Sequence, residues 1–129
     1  MNTYTLSQRS QNNLNDVHQD LVRIVYLALT LSEYDFVVIE GVRSLIRQKE
    51  LMKEGKSKTL NSRHLTGHAV DIVPLVNGVI PWQDWSAFES VSKAMKKAAH
   101  QLGVSINWGG DWVSFRDGPH YELCRGAYP

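Results

Sequence analysis

The chain has 129 residues, of which 43% are hydrophobic and 21% charged, and its formal net charge is +1. That size and balance describe one soluble globular domain, residues 1–129, with enough chain to bury its own core. A charge so near zero gives no electrostatic argument for a nucleic-acid footprint, and a single cysteine, Cys124, excludes both an internal disulfide framework and a cysteine-rich zinc site.

The opening "MNTYTLSQRSQNNLNDVHQD" is polar and lacks the apolar core of a secretory signal, so residues 1–12 read as a loose arm. No stretch reaches the roughly 18 apolar residues of a membrane helix, so stable membrane insertion is not expected. Synthesis in a reducing cytosol is expected instead. From Leu14 onward, Leu14, Val17, Leu21, Val25, Ala28 and Leu29 recur at helical spacing. "YDFVVIEG" is a β-branched run ended by Gly41, the pattern of a buried strand. "SLIRQKELMKEG" has Ser44 as N-cap and Gly55 as stop, which predicts a second helix.

Residues 56–67 are polar and read as a loop. "HAVDIVP" then alternates as a strand, with Ala69, Asp71 and Val73 on one face and Pro74 marking an edge or an end. Asn-Gly inside "LVNGVI" predicts a tight hairpin. Trp85, Phe88, Val91, Met95, Ala98, Ala99 and Leu102 make the apolar stripe of a third helix, stopped by Gly103. "VSINWG" and "HYELC" read as two short strands joined by the loop "GDWVSFRDGP". Helices mixed with strands and a hairpin point to an α+β fold, a small antiparallel sheet packed against about three helices.

The polar residues of "NSRHLTGHAVDIVP" carry the first chemical signal. Imidazole nitrogens and a carboxylate oxygen suit zinc, and a catalytic zinc uses three protein ligands and leaves a fourth position for water. A loop His64 and a strand Asp71 converge across a glycine turn but supply only two. His68 is the nearest third candidate. Thr66-Gly67 argues against the helix that would put His68 beside His64, and strand alternation turns it away from Asp71. His120 in "RDGPHYELC" is the better candidate, with Asp117 three residues earlier on a Gly-Pro turn. A carboxylate there can reach metal-activated water without ligating the metal and act as general base. Cys124 shares the strand face of His120 and Glu122 and stays open as a soft ligand. By spacing alone, surface residues would look the same.

"SRHLTGHAVD" resembles the SxHxxGxAxD motif of the zinc peptidases that include D-alanyl-D-alanine carboxypeptidases, vancomycin-resistance dipeptidases and phage L-alanyl-D-glutamate endopeptidases. "DGPH" is similar to their second motif, an acid three residues before a histidine. "GVRS" followed by Gln48 resembles their GxRSxxxQ segment, and "GGDW" recurs in the phage enzymes. Order and spacing agree from roughly residue 35 to 123. The resemblance implies the Hedgehog/DD-peptidase fold and one zinc ion held by His64, Asp71 and His120, with Asp117 as catalytic base. Many relatives carry glutamate at that position. Aspartate is one methylene shorter and is tolerated in the phage endopeptidases. The resemblance also implies that Arg43 reaches the scissile carbonyl or a substrate carboxylate, a role that suits its planar fork.

Ser62 and Gln48 are taken as substrate-binding residues, and Asp111 as an acceptor that braces a ligand histidine. Trp82, Trp85 and Phe88 read as packing. Trp108 and Trp112 divide between core packing and contact with a sugar or peptide. The expected activity is cleavage of the peptidoglycan stem peptide between L-alanine and D-glutamate by a monomeric phage endolysin, with no nucleic-acid partner, released to the wall by a holin. The alternative is a D-Ala-D-Ala carboxypeptidase or dipeptidase using the same zinc site.

Overall fold

A computed structural model describes residues 2–57, 62–114 and 116–129. Helix α1 (Gln8–Asn13) and helix α2 (Gln19–Leu31) precede strand β1 (Asp35–Glu40). Helix α3 (Leu45–Lys53) and strand β2 (Ala69–Leu75) follow. Helix α4 (Trp85–Leu102) leads to β3 (Ile106–Trp108) and β4 (His120–Leu123). The strands form one antiparallel sheet in the order β1-β2-β4-β3. The α+β expectation therefore holds, with short α1 as an additional helix.

The two faces of the sheet have different work. Val70, Ile72, Tyr121 and Leu123 are buried in the hydrophobic core, and the Val70–Tyr121 pair places them on one face. Alternation sends Ala69, Asp71, His120 and Glu122 to the other face. Helices α2 and α4 pack on each other, and α4 also meets β2 and β3. Leu21, Ile24, Met95 and Ala98 are fully buried there. Truncating a residue such as Leu21 to alanine costs roughly 2–5 kcal/mol.

The capping signals in the sequence operate as written. Ser44 Oγ accepts from Arg47 N, and Gly55 and Gly103 adopt left-handed φ just past their helices. Asn77 and Gly78, both at positive φ, make the tight turn between Val76 and Val79. Pro74 lies beyond the part of β2 that β4 covers, at a free stretch of strand edge that needs no N–H.

Two expectations near the N-terminus are corrected. The helical periodicity from Leu14 does not mark one helix. Asp16 takes φ 65° and His18 starts α2 afresh as its N-cap, although Leu14 and Val17 still bury. Nor is the N-terminal segment loose over its described residues, 2–12. Leu6 is buried, Asn2 Nδ2 donates to the Leu29 and Ser32 carbonyls, and Ser10 Oγ accepts from Val38 N at 2.9 Å. With Asn13 Nδ2 donating to Val38 O, α1 covers the outer edge of β1 and satisfies backbone groups that would otherwise be open to pairing. The expected loop 56–67 falls partly outside the described residues. Its described end holds a short 3-10 turn, Arg63–Thr66.

Candidate metal centre

The open face of the sheet carries a cleft of about 390 Å³. Its ligand-bearing side chains come from three separate stretches. Asp71 sits in β2 opposite Glu40 of β1 on one side and His120 of β4 on the other. His64 reaches the same spot from the 3-10 turn. Ser62 caps that turn by accepting from His64 N at 3.2 Å. The turn closes at Gly67, whose φ of +76° and whose approach to Asp16 O leave no room for a Cβ (2.6 Å).

His64, Asp71 and His120 are the group of possible metal ligands found among the described residues, their donor atoms all within 4.8 Å of one another. His64 Nε2 lies 3.2 Å and His120 Nδ1 3.4 Å from Asp71 Oδ1. Each histidine is turned by its other nitrogen. His64 Nδ1 is 2.8 Å from Gly41 O, which can only accept, so Nδ1 carries a proton and Nε2 is the nitrogen that points inward. His120 Nε2 is 2.8 Å from a Glu122 carboxylate oxygen, which leaves Nδ1 to point inward. Two inward lone pairs beside a carboxylate repel unless a proton or a cation lies among them. This donor set therefore fits a divalent metal.

The charges agree. Burial would raise the Asp71 carboxyl, but hydrogen bonds from His120 and His64 outweigh it and hold Asp71 ionised far below the usual carboxylate range. Burial would lower His120, yet its bonds to Asp71 and Glu122 push it up to about 9 without a metal. Asp117 is moved the other way, upward, by burial and then by the Asp71 charge. Its main chain is pinned in place: Asp117 N donates to Gly109 O, and Asp117 O accepts from His120 N. Gly109 packs so closely on Asp117 O that a Cβ would collide with it.

The remaining predicted residues divide. Arg43 lines the cleft, but Glu40 accepts from its Nε and Nη2 at 2.7 and 2.6 Å, and Asp71 Oδ2 is 3.7 Å away. Ser62 lines the cleft as well. Gln48 does not fit a substrate-binding role. It is fully buried, accepts from Arg43 Nη1 at 2.6 Å and donates to Ser57 Oγ, so it fixes Arg43. Asp111 braces neither histidine. It is exposed and paired with Lys96 at 2.7 Å, and Gly41 O and Glu122 take the bracing role. Glu122 was visible in the sequence through strand alternation, which placed it beside His120.

His68 and Cys124 stand outside the ligand group. Trp108 is buried, with Nε1 donating to Gly118 O, whereas Trp112 lines the cleft 5.1 Å from the His120 ring. Phe88 is buried as expected, but Trp82 is 58% exposed.

A small antiparallel sheet whose open face gathers two histidines and an aspartate beside a second carboxylate has the make-up of a metal-dependent hydrolase. The fold matches that of the vancomycin-resistance D,D-dipeptidase VanXYg, with a TM-score of 0.53 at 16% identity over 83% of this chain and 50% of that one. The Serratia marcescens L-Ala D-Glu endopeptidase ChiX superposes with a TM-score of 0.91, at 46% identity over 96% of this chain and 92% of that one. Residues 2–126 match the family model of the phage L-alanyl-D-glutamate peptidases, and the chain belongs to that family. The L-alanyl-D-glutamate peptidase of Escherichia phage T5 is 34% identical over 98% of this chain and 93% of that protein. The peptidoglycan L-alanyl-D-glutamate endopeptidase CwlK of Bacillus subtilis is 31% identical over 88% and 81%.

Proposed function

We propose that this chain is a zinc endopeptidase that cuts the peptidoglycan stem peptide between L-alanine and D-glutamate, acting as a phage endolysin. The convergence of His64, Asp71 and His120 beside Asp117, in a chain of this family, carries the reading. Zinc bound there would supply Lewis acidity at the scissile carbonyl and a more acidic water. Asp71 contributes a carboxylate that stays ionised, and the Gly41 carbonyl and Glu122 keep both imidazoles turned inward. Asp117, half-buried and with its pKa raised by burial and the Asp71 charge, takes the proton of the attacking water and gives it to the leaving nitrogen. Arg43, set by Glu40 and Gln48, places its positive charge beside the carbonyl oxygen as negative charge grows there.

The likeness to VanXYg supports only the shared fold, so the D-Ala-D-Ala reading has no observation of its own. No helix among the described residues is long and apolar enough to cross a membrane. The phage source of its relatives supports the endolysin reading, and with it we propose that the chain acts as a monomer on the wall after release by a holin. Digestion of purified peptidoglycan followed by mass spectrometry tests the reading. New fragments should begin with D-glutamate, and release of D-alanine without them would overturn it.

A further inference from the structure

Two arginines line the cleft and differ in what holds them. Arg43 is already paired, with Glu40 and Asp71 beside its charge and Gln48 accepting from Nη1. Arg63 is only 6% exposed and, among the described residues, forms no ion pair. Its Nη2 donates to the main-chain carbonyls of Leu123 at 3.2 Å and Tyr128 at 2.5 Å. Its Nε is buried and has no hydrogen-bond partner among the described residues. Buried charge is costly unless it is paired; Glu122 across the cleft feels the Arg63 charge but is hydrogen-bonded to His120 instead, so the guanidinium, bonded to neutral carbonyls, keeps part of its demand for an anion. Lys56 and Arg125 line the same cleft and add positive charge. Of the acids at the metal end of the cleft, Glu40, Asp71 and Glu122 are already engaged with Arg43, His64 and His120.

The substrate of the proposed reaction has an anion to offer. D-glutamate carries two carboxyl groups, and only one is used to continue the peptide. A free carboxylate therefore stands on the residue just after the scissile bond. We propose that Arg63, with Lys56 and Arg125 at the rim, forms the subsite for this carboxylate, so that the enzyme reads a charge beside the bond it cuts. The proposal rests on the L-alanyl-D-glutamate reading. Arg63 directly precedes the ligand His64, so a carboxylate held there also sets where the scissile bond lies relative to the metal.

Two synthetic peptides, identical except that the free carboxylate of D-glutamate is replaced by a carboxamide, provide the test. The wild-type enzyme should cleave the carboxamide with a kcat/KM lower by roughly tenfold to a hundredfold, as expected for losing a charge-assisted hydrogen bond. Arg63→Gln should cleave the two peptides equally and retain its zinc. Arg63→Lys keeps the charge but loses the fork, and should discriminate less than wild type; it serves if Arg63→Gln does not fold. Equal cleavage of both peptides by the wild-type enzyme overturns the proposal, as does a folded Arg63→Gln that still discriminates. Cleavage of neither peptide, with D-alanine released instead, overturns the underlying reading and the subsite with it.

Discussion

His64 and His68 lie one short turn apart, yet the structure places them in opposite surroundings. His64 is buried, aimed at Asp71 and braced by a carbonyl, in a cluster where its fellow His120 is pushed up to about 9. His68 lies on the far side of the same turn, its ring 5.7 Å from that of His18 and its Nδ1 2.6 Å from Thr66 Oγ1. Burial and then the charges of Arg63, His18 and Arg125 move its pKa downward. One cluster gathers anions around imidazole and invites a cation; the other gathers cations and repels one. Environment, not sequence spacing, decides which histidine is suited to hold a metal.

The sharpest way to break this contrast is substitution of the histidines. His64→Ala and His120→Ala should each empty the site of zinc and abolish wall lysis, whereas His68→Ala should leave zinc content unchanged by atomic absorption. Equal zinc loss in His68→Ala would erase the distinction. Next in size is Asp117→Ala, which should retain its metal while lysis falls by about 10²–10⁴-fold. Unchanged lysis would remove Asp117 from its role as base.

Glu122→Gln should weaken zinc affinity by about 10–100-fold with the fold intact, because a neutral amide no longer fixes and polarises His120. Chelator competition measures this, and wild-type affinity would show that Glu122 does not brace the ligand. Proton linkage is a smaller effect. Without metal, His120 holds its proton up to about 9, so zinc uptake at pH 7 should release about one proton, read by calorimetry in buffers of different ionisation heat. The raised pKa also means that this proton stabilises the metal-free fold fully below the ordinary 6.5, a contribution lost as pH rises through about 9. The smallest effect belongs to His68. Its lowered pKa implies a slight loss of stability as pH falls through the usual histidine range, seen as a small drop in Tm that His68→Ala should remove.

Much of this site was legible before any coordinates. The helix stops at Gly55 and Gly103, the Asn-Gly turn and the face shared by His120 and Glu122 all follow from local periodicity and backbone chemistry. What local patterns could not show is which distant strands lie side by side. The Asp71–His120 pairing depends on long-range register; residue types alone made His120 a candidate, and the motif resemblance singled it out. Gln48 misled because a motif position marks importance without saying which group the side chain touches. Asp111 misled because its true partner, Lys96, sits on a helix earlier in the chain and shares no local pattern with it. The N-terminal segment misled because its docking depends on a few residues, Leu6, Ser10 and Asn13, scattered in a polar run.

The grip of Arg63 on the carbonyls of Leu123 and Tyr128, together with the Tyr128 hydroxyl on Asp20 at 2.6 Å, has a consequence for engineering. The segment around Tyr128 is laced into the turn that presents His64, so a cargo domain joined stiffly at Pro129 would load that turn. A flexible spacer after Pro129 would leave that lacing slack and the turn undisturbed.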